Sequence, residues 1–500
     1  MASLDALGDE GLWLAGAALL LLGWSLTRRA AAARWRLTPT LLLDCAPPLT
    51  LFATSLALSA RPLLAGLITL AAGAGWARAD ADKRRVLREP IIFTDLFQIA
   101  DILRHPQLAL PFPHKAPIVL AAALVLAGFT TVCWLEPPQW RGRTALVVPV
   151  FLGCLATVLL VLRLLPTAQA LGLTADPARD AALHGPFAAI LLHASFARRE
   201  RAARRTAAAR HIPAPPLAAG PVVLVQSESF FDVRRLDTRL ATRLPHFAAA
   251  CREAMQWGRL AVPSWGANTV RTEFAVLSGL GVEALGFDRF NPYLRFARAP
   301  ISALAAQFRA QGYRTVCLHP FDRRFYGRDQ VMPQLGFDAF LGEEQFADAE
   351  RVDGYIADIA VARVAERLLA EHGPKLFLFI VTIENHGPWH TADDVIAADV
   401  AQLDLDARAQ KALQHYLDSL EHADAMLGRL RAALARLATP AVLGFYGDHL
   451  PSLPDVFTRL NLTDAHSDYL LCHTTPGTGV QQDIAAEHLG AALLAACAGR

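Results

Sequence analysis

Apolar residues in this chain gather into long blocks at the start and short blocks later, and the two block lengths predict two architectures. Five apolar segments fill the first third, at about 11–27, 39–58, 60–77, 117–135 and 145–165. Each approaches the roughly 20 residues that a helix needs to cross about 30 Å of hydrocarbon. The pattern predicts five membrane-spanning helices. The second is the least regular, because it holds Asp44 and the pair Pro47-Pro48, a composition that fits a kinked or partly re-entrant helix.

From Gly220 the apolar runs shorten. Pro221–Gln226 (PVVLVQ), Tyr313–Leu318 (YRTVCL), Leu376–Ile383 (LFLFIVTI) and Ala441–Tyr446 (AVLGFY) read as buried strands. Helical patterns at 302–311, 355–371 and 409–437 lie between them. Strands alternating with helices predict an α/β domain with a mostly parallel sheet sandwiched by helices. In such sheets ligands bind at the carboxyl ends of the strands. The chain therefore divides into a transmembrane helical domain (1–165), a linker (166–220) and an α/β domain (221–500). The linker is rich in Ala, Arg and Pro. Its basic run, Arg198, Arg199, Arg201, Arg204 and Arg205, suits either anionic headgroups or a solvated helix. Pro213-Ala-Pro-Pro216 reads as a stiff hinge.

Composition agrees with a membrane part joined to a soluble part. Of 500 residues, 53% are hydrophobic and 19% charged, too apolar for a purely soluble enzyme. The mean hydropathy is +0.29. A net charge of +2 argues neither for nor against an acidic partner, and nucleic acid is not among the expected partners. The seven cysteines form no CxxC pair and read as free thiols. Acidic residues precede the first apolar stretch and no A-x-A site follows it, so a cleavable signal peptide is not expected.

Three predicted strands end in polar clusters: Gln226-Ser-Glu228-Ser, Glu384-Asn385-His386-Gly and Gly447-Asp448-His449. Glu228, Asp448 and His449 are hard or borderline ligands, suited to Mn²⁺, Mg²⁺ or Zn²⁺. Such a site needs a nucleophile. Trp265-Gly-Ala-Asn-Thr269-Val-Arg-Thr-Glu273-Phe274 follows a short loop and opens a predicted helix, which sets the Thr269 hydroxyl at a positive helix end. Metal coordination would make it an alkoxide nucleophile. A helix N-cap without chemistry is the plainer reading of Thr269 taken alone.

These residues resemble the lipoteichoic acid synthase and membrane phosphoglycerol transferase family of the alkaline phosphatase superfamily. The resemblance rests on Glu228 after a strand, the G-x-x-T-x-x-x-E-F pattern around Thr269, Asn385-His386 and Tyr446-Gly-Asp448-His449. It also rests on His319-Pro-Phe-Asp-Arg-Arg-Phe325-Tyr326-Gly-Arg328-Asp-Gln, which follows the family's H-x-x-x-x-x-F-W-x-R-D-Q spacing. It covers about 221–450. It implies a sulfatase-like fold, with Thr269 as catalytic nucleophile and Glu228, Thr269, Asp448 and His449 on one divalent cation, manganese in the family. It further implies a headgroup pocket of His386, Arg328, Tyr326 and His319. Two departures stand out. Tyr326 takes the place of a frequent Trp, and Phe321 that of an Asp, with Asp322 next along as a substitute contact.

The resemblance implies transfer of glycerophosphate from phosphatidylglycerol to an envelope glycan or polymer, through a phospho-threonine intermediate and with release of diacylglycerol. It implies a multi-pass protein of the bacterial cytoplasmic membrane with its catalytic domain outside. A phosphoethanolamine transferase would share the metal and the Thr, and Glu384 could serve its cationic headgroup. A sulfatase would need a CxPSR-like motif, which is absent near Thr269. A catalytically inactive sensor or scaffold would have lost a ligand, and none is missing.

Overall fold

The computed structural model describes residues 8–105, 115–139, 147–209, 216–218, 220–389 and 395–498. The expected hinge at 213–216 falls almost entirely outside them. Two compact units emerge: Met1–Leu96 with Phe112–Arg199, and Phe97–Pro111 with Glu200–Arg500.

The first unit is helical. Among the described residues, Gly8–Ala30, Pro39–Ser59 and Pro62–Leu87 are long and apolar enough to cross a membrane. The fourth and fifth expected spans fall on helices Lys115–Leu135 and Val147–Leu164, whose described apolar parts, Ala123–Leu135 and Val148–Leu164, are shorter. Among the described residues, three of the five expected spans thus meet the length and composition that a crossing requires. Pro39–Ser59 continues as one helix through Pro47 and Pro48. Its Asp44 is fully buried and paired with Arg28 at 2.6 Å. Trp24 Nε1 and the backbone N–H groups of Phe187 and Ala188 also donate to Asp44. The Trp35 ring covers the Arg28 guanidinium at 4.5 Å. A charge in an apolar helix persists when paired and fully hydrogen-bonded in this way.

The second unit is the α/β domain. Its strands are β1 Val222–Ser227, β2 Gln256–Ala261, β3 Arg314–Leu318, β4 Ala339–Leu341, β5 Arg351–Val352, β6 Tyr355–Ile356, β7 Leu376–Val381, β8 Val442–Gly447, β9 Ser467–His473, β10 Val480–Gln481 and β11 Ile484–Ala485. The main sheet runs β10-β2-β9-β8-β1-β7-β3-β4, with β11 also on β2, while β5 and β6 form a separate hairpin. It is mixed: β9 is antiparallel to both β8 and β2. Its centre, β8-β1-β7-β3, is parallel, and all four of those strands are the ones predicted.

The central strands are apolar throughout because helices cover both faces. Val223 and Val225 of β1 and Leu376, Leu378 and Ile380 of β7 pack in one core, with Leu413, Tyr416 and Leu420 from helix Ala407–Ala435. Leu224, Phe377 and Phe379 turn to the opposite core, against Phe274 and Leu489. The register then sets the chemistry. Gln226 lies opposite both Val381 and Tyr446, so the residues after β1, β7 and β8 emerge at one level.

Three arginines of the basic run make contacts within the second unit. Arg201 makes a forked pair with Asp288, with its closest approach at 2.7 Å. Arg204 donates to the Glu283 and Ala284 carbonyls, and Arg205 to that of Phe296. Arg201, Arg204 and Arg205 fasten their helix end to the α/β domain.

Candidate metal centre and active-site pocket

Beyond β1 and β8, Glu228, Asp448 and His449 converge. Their ligand atoms all lie within 4.8 Å of one another, and all three residues are buried. Two oxygens or nitrogens bound to one ion at about 2.0–2.6 Å can stand no farther apart than about that distance. Backbone groups aim each ligand. The Ser229 and His449 N–H groups donate to Asp448 Oδ1 at 2.8 and 2.9 Å. That leaves Asp448 Oδ2 buried without a hydrogen-bond partner. His449 Nδ1 donates to the Leu450 carbonyl at 3.0 Å, which fixes the tautomer with a bare Nε2. Nε2 is likewise buried and unpartnered, 3.5 Å from Glu228 Oε1 and 3.3 Å from Asp448 Oδ2. Burial, and then the Asp448 charge, lift the Glu228 carboxyl to about 8. Two crowded buried carboxylates and an inward-facing imidazole lone pair fit a divalent cation.

Thr269 opens helix Thr269–Ser278, preceded by Asn268 in the left-handed conformation at φ 65°. Its residue is 8% exposed, enough for a hydroxyl at a pocket wall. One pocket is lined by Glu228, Thr269, His319, Tyr326, Arg328 and His386, together with Asn268, Phe325 and Thr382. Six residues expected at the site, drawn from four separate segments, therefore share one cavity. Asp448 and His449 join it through Glu228.

Two carboxylates considered for the headgroup lie off the pocket lining. Asp322 is absent from the pocket lining, and Arg324 holds both of its carboxylate oxygens at 3.0 and 2.9 Å. Being one residue out of step with the family's Asp turns its side chain elsewhere. Glu384 also lies outside the lining. It accepts the Asp358 N–H at 2.5 Å, at the start of helix Asp358–His372, and pairs with His422.

Arg328 is fully buried, and only part of its fork faces the pocket. Nε and Nη2 bond Glu273 at 3.0 and 2.8 Å. Nη1 lies 3.4 Å from His319 Nε2, and the guanidinium covers the Tyr326 ring at 5.5 Å. His319 can accept because its Nδ1 donates to the Val381 carbonyl at 3.1 Å. Burial and the neighbouring Arg328 push its pKa well down, which keeps it neutral. Glu273 is thus a supporting residue to which sequence reasoning gave no role. Gln226 and Tyr293 also donate to it, at 3.0 and 2.9 Å, and Tyr446 donates to Gln226 at 2.6 Å. Its signal was the T-x-x-x-E spacing, which puts it one helical turn from Thr269. Thr272, between them, donates to the Asp448 carbonyl at 2.6 Å.

His386 is a half-buried residue of the pocket lining. Its Nδ1 donates to the Gly387 carbonyl at 2.6 Å, leaving Nε2 with a lone pair, and burial lowers its pKa.

A family model described as Sulfatase matches residues 221–481. The capsular polysaccharide biosynthesis protein RkpI of Rhizobium meliloti (strain 1021) is 29% identical over 452 residues, which cover 84% of this chain and 79% of the relative. Among solved structures, the integral membrane lipooligosaccharide phosphoethanolamine transferase A of Neisseria meningitidis aligns with 97% of this chain and 95% of its own. Its TM-score is 0.53 and its identity 12%, a likeness of fold. The phosphoglycerol transferase GacH of Streptococcus pyogenes, in complex with sn-glycerol-1-phosphate, aligns with 61% of this chain and 80% of its own, with a TM-score of 0.49 and 22% identity.

Proposed function

The chain belongs to the sulfatase family of the alkaline phosphatase superfamily, and on that premise we propose that it is a membrane phosphoglycerol transferase. Its donor is phosphatidylglycerol and its acceptor a hydroxyl of an envelope glycan or polymer. The observation that carries this reading is the single pocket shared by Thr269, Glu228, His386 and Arg328.

Glu228, Asp448 and His449, with Thr269 completing the set, would hold one divalent cation, Mn²⁺ by family resemblance with Mg²⁺ and Zn²⁺ as alternatives. When bound, the cation neutralises charge on the phosphoryl oxygens and acidifies the threonine hydroxyl. Thr269 Oγ attacks the donor phosphorus. The bond to the diacylglycerol oxygen breaks, and the proton lost by Thr269 balances the one gained by diacylglycerol. An acceptor hydroxyl then attacks glycerophospho-Thr269 and gives up its proton as Thr269 regains one. His386, with a bare Nε2, is the residue suited to carry that proton. Arg328 offers Nη1 to the phosphate, steadied by Glu273.

The pocket supports glycerol over ethanolamine as the headgroup. Glu384, the carboxylate that could meet an ammonium group, is occupied by Asp358 and His422. The capsule-related name of RkpI supports a surface glycan as acceptor. The catalytic domain lies outside the cytoplasmic membrane, where donor and acceptor are found. That orientation puts the Arg28–Arg36 and Lys83–Arg88 segments outside, against the usual charge bias. Several of these cations have carboxylate partners: Arg28 with Asp44, Lys83 with Glu89 and Asp95, and Arg84 with Asp80. Purified protein given phosphatidylglycerol and phosphatidylethanolamine in parallel tests the reading. Diacylglycerol release from phosphatidylglycerol supports it, and release from phosphatidylethanolamine alone overturns the donor.

A further inference from the structure

Phe97–Pro111 clusters with the catalytic unit, although the chain on either side of it, Met1–Leu96 and Phe112–Arg199, forms the other unit. His105 is one residue of this segment that contacts the catalytic unit. Its ring lies 5.0 Å from that of Phe321 and edge-on to Phe325 at 5.7 Å, and its Nε2 is 3.5 Å from Asp322 Oδ2. Phe325 lines the active-site pocket and meets the Tyr326 ring at 4.4 Å. His105 therefore packs against the aromatic wall that flanks the headgroup.

The helix before it, Asp95–Arg104, is amphipathic in sequence: Leu96, Ile99 and Leu103 recur at i, i+3 and i+7, among Asp95, Gln98, Asp101 and Arg104. Leu96, Phe97 and Ile99 are 50%, 54% and 50% exposed, which is costly in water for three such side chains so close together. The chain enters this segment from Pro62–Leu87, long and apolar enough to cross a membrane, and continues into the apolar helix Lys115–Leu135. Pro62–Leu87 is long and apolar enough to cross a membrane, so the chain that leaves it starts at a bilayer surface, where an amphipathic helix lies in the interface.

We propose that Asp95–Arg104 is an interfacial helix that buries Leu96 and Ile99 in a lipid surface, and that His105 ties the Phe321–Phe325 wall of the pocket to that surface. The pocket then takes its phosphodiester from lipid in place. His105 is a positioning residue, acting through the aromatic wall. The inference rests on the lipid-donor reading above, but its first test does not.

In that test a photoreactive amino acid replaces Ile99 in the full chain, which is reconstituted in vesicles of phosphatidylglycerol and phosphatidylcholine. Lipid adducts are expected, and crosslinks to protein alone overturn the interfacial placement. The second test compares vesicle phosphatidylglycerol with a soluble chromogenic phosphodiester. Ile99→Glu should lose about tenfold in kcat/KM on vesicles. On the soluble diester it should stay within about twofold of wild type. His105→Ala should raise KM for vesicle lipid about tenfold with kcat little changed, and His105→Phe, which keeps the ring packing, should restore it. Equal losses on both substrates overturn the positioning role. A wild-type protein that turns over neither substrate overturns the donor reading, and the crosslink still decides the placement of the helix.

Discussion

Glu273 grips Arg328 with both carboxylate oxygens, at 3.0 and 2.8 Å, from a position one helical turn beyond Thr269. The proposed nucleophile and the proposed phosphate-binding arginine are thereby referred to one helix. Removing one partner of a buried pair leaves an uncompensated charge, at a cost of about 3–5 kcal/mol. Glu273→Ala should therefore lower thermal stability strongly. Glu273→Gln, which keeps the shape, should fold and still lose roughly a hundredfold in kcat/KM by misplacing Arg328. Circular-dichroism melts paired with diacylglycerol-release kinetics check both.

Asp322 gives the opposite expectation. Its carboxylate serves Arg324 and stands outside the pocket lining. An exposed pair of this kind is worth about 0–1 kcal/mol. Asp322→Ala should keep kcat/KM on a soluble phosphodiester within about fivefold of wild type. A hundredfold loss would return Asp322 to the headgroup site.

The metal centre makes a pH-dependent prediction. Burial and Asp448 raise the Glu228 carboxyl from 4.5 to about 8. Between those values the folded, metal-free protein holds a proton that the unfolded chain has released. Stability therefore falls as pH rises from about 4.5 to about 8 and levels off above. Mn²⁺ binding requires the ionised carboxylate, so the rise in Tm on adding Mn²⁺ should grow across the same window. Thermal melts with and without Mn²⁺ at pH 5, 6.5 and 8 measure it, and an increment that shrinks with pH would contradict the assignment of Glu228.

Glu384 separates the two donor readings. With its oxygens on the Asp358 N–H and His422, it is a structural residue. Glu384→Gln should lower Tm and leave the preference for phosphatidylglycerol over phosphatidylethanolamine unchanged. A reversed preference would show the carboxylate reading the headgroup.

The sequence was informative where local pattern and tertiary role coincide. β1, β3, β7 and β8 are covered on both faces, so their apolar runs are unbroken, and polar residues that follow them form the candidate site. β2 and β9 escaped notice for physical reasons. β2, Gln256–Ala261, is only partly buried and reads QWGRLA, without a clean period. β9 begins with Ser467 and Asp468, polar residues buried by partners far along the chain: Ser467 donates to the Gly447 carbonyl, and Asp468 pairs with Arg235. The arginine run at 198–205 was ambiguous because its partners, Asp288 and the carbonyls of Glu283, Ala284 and Phe296, are fixed only by the fold. Glu273 was visible in a motif, but its grip on Arg328 depends on two segments meeting over the sheet.

The central claim is that Thr269 carries the transferred group. Purified protein loaded with Mn²⁺ and given glycerol-labelled phosphatidylglycerol without acceptor should trap it. Peptide mass spectrometry should find one glycerophosphoryl group on Thr269, absent from Thr269→Ala protein of unchanged fold. Label that appears on no residue while diacylglycerol is released, or release that persists at wild-type rate in Thr269→Ala, would contradict the account.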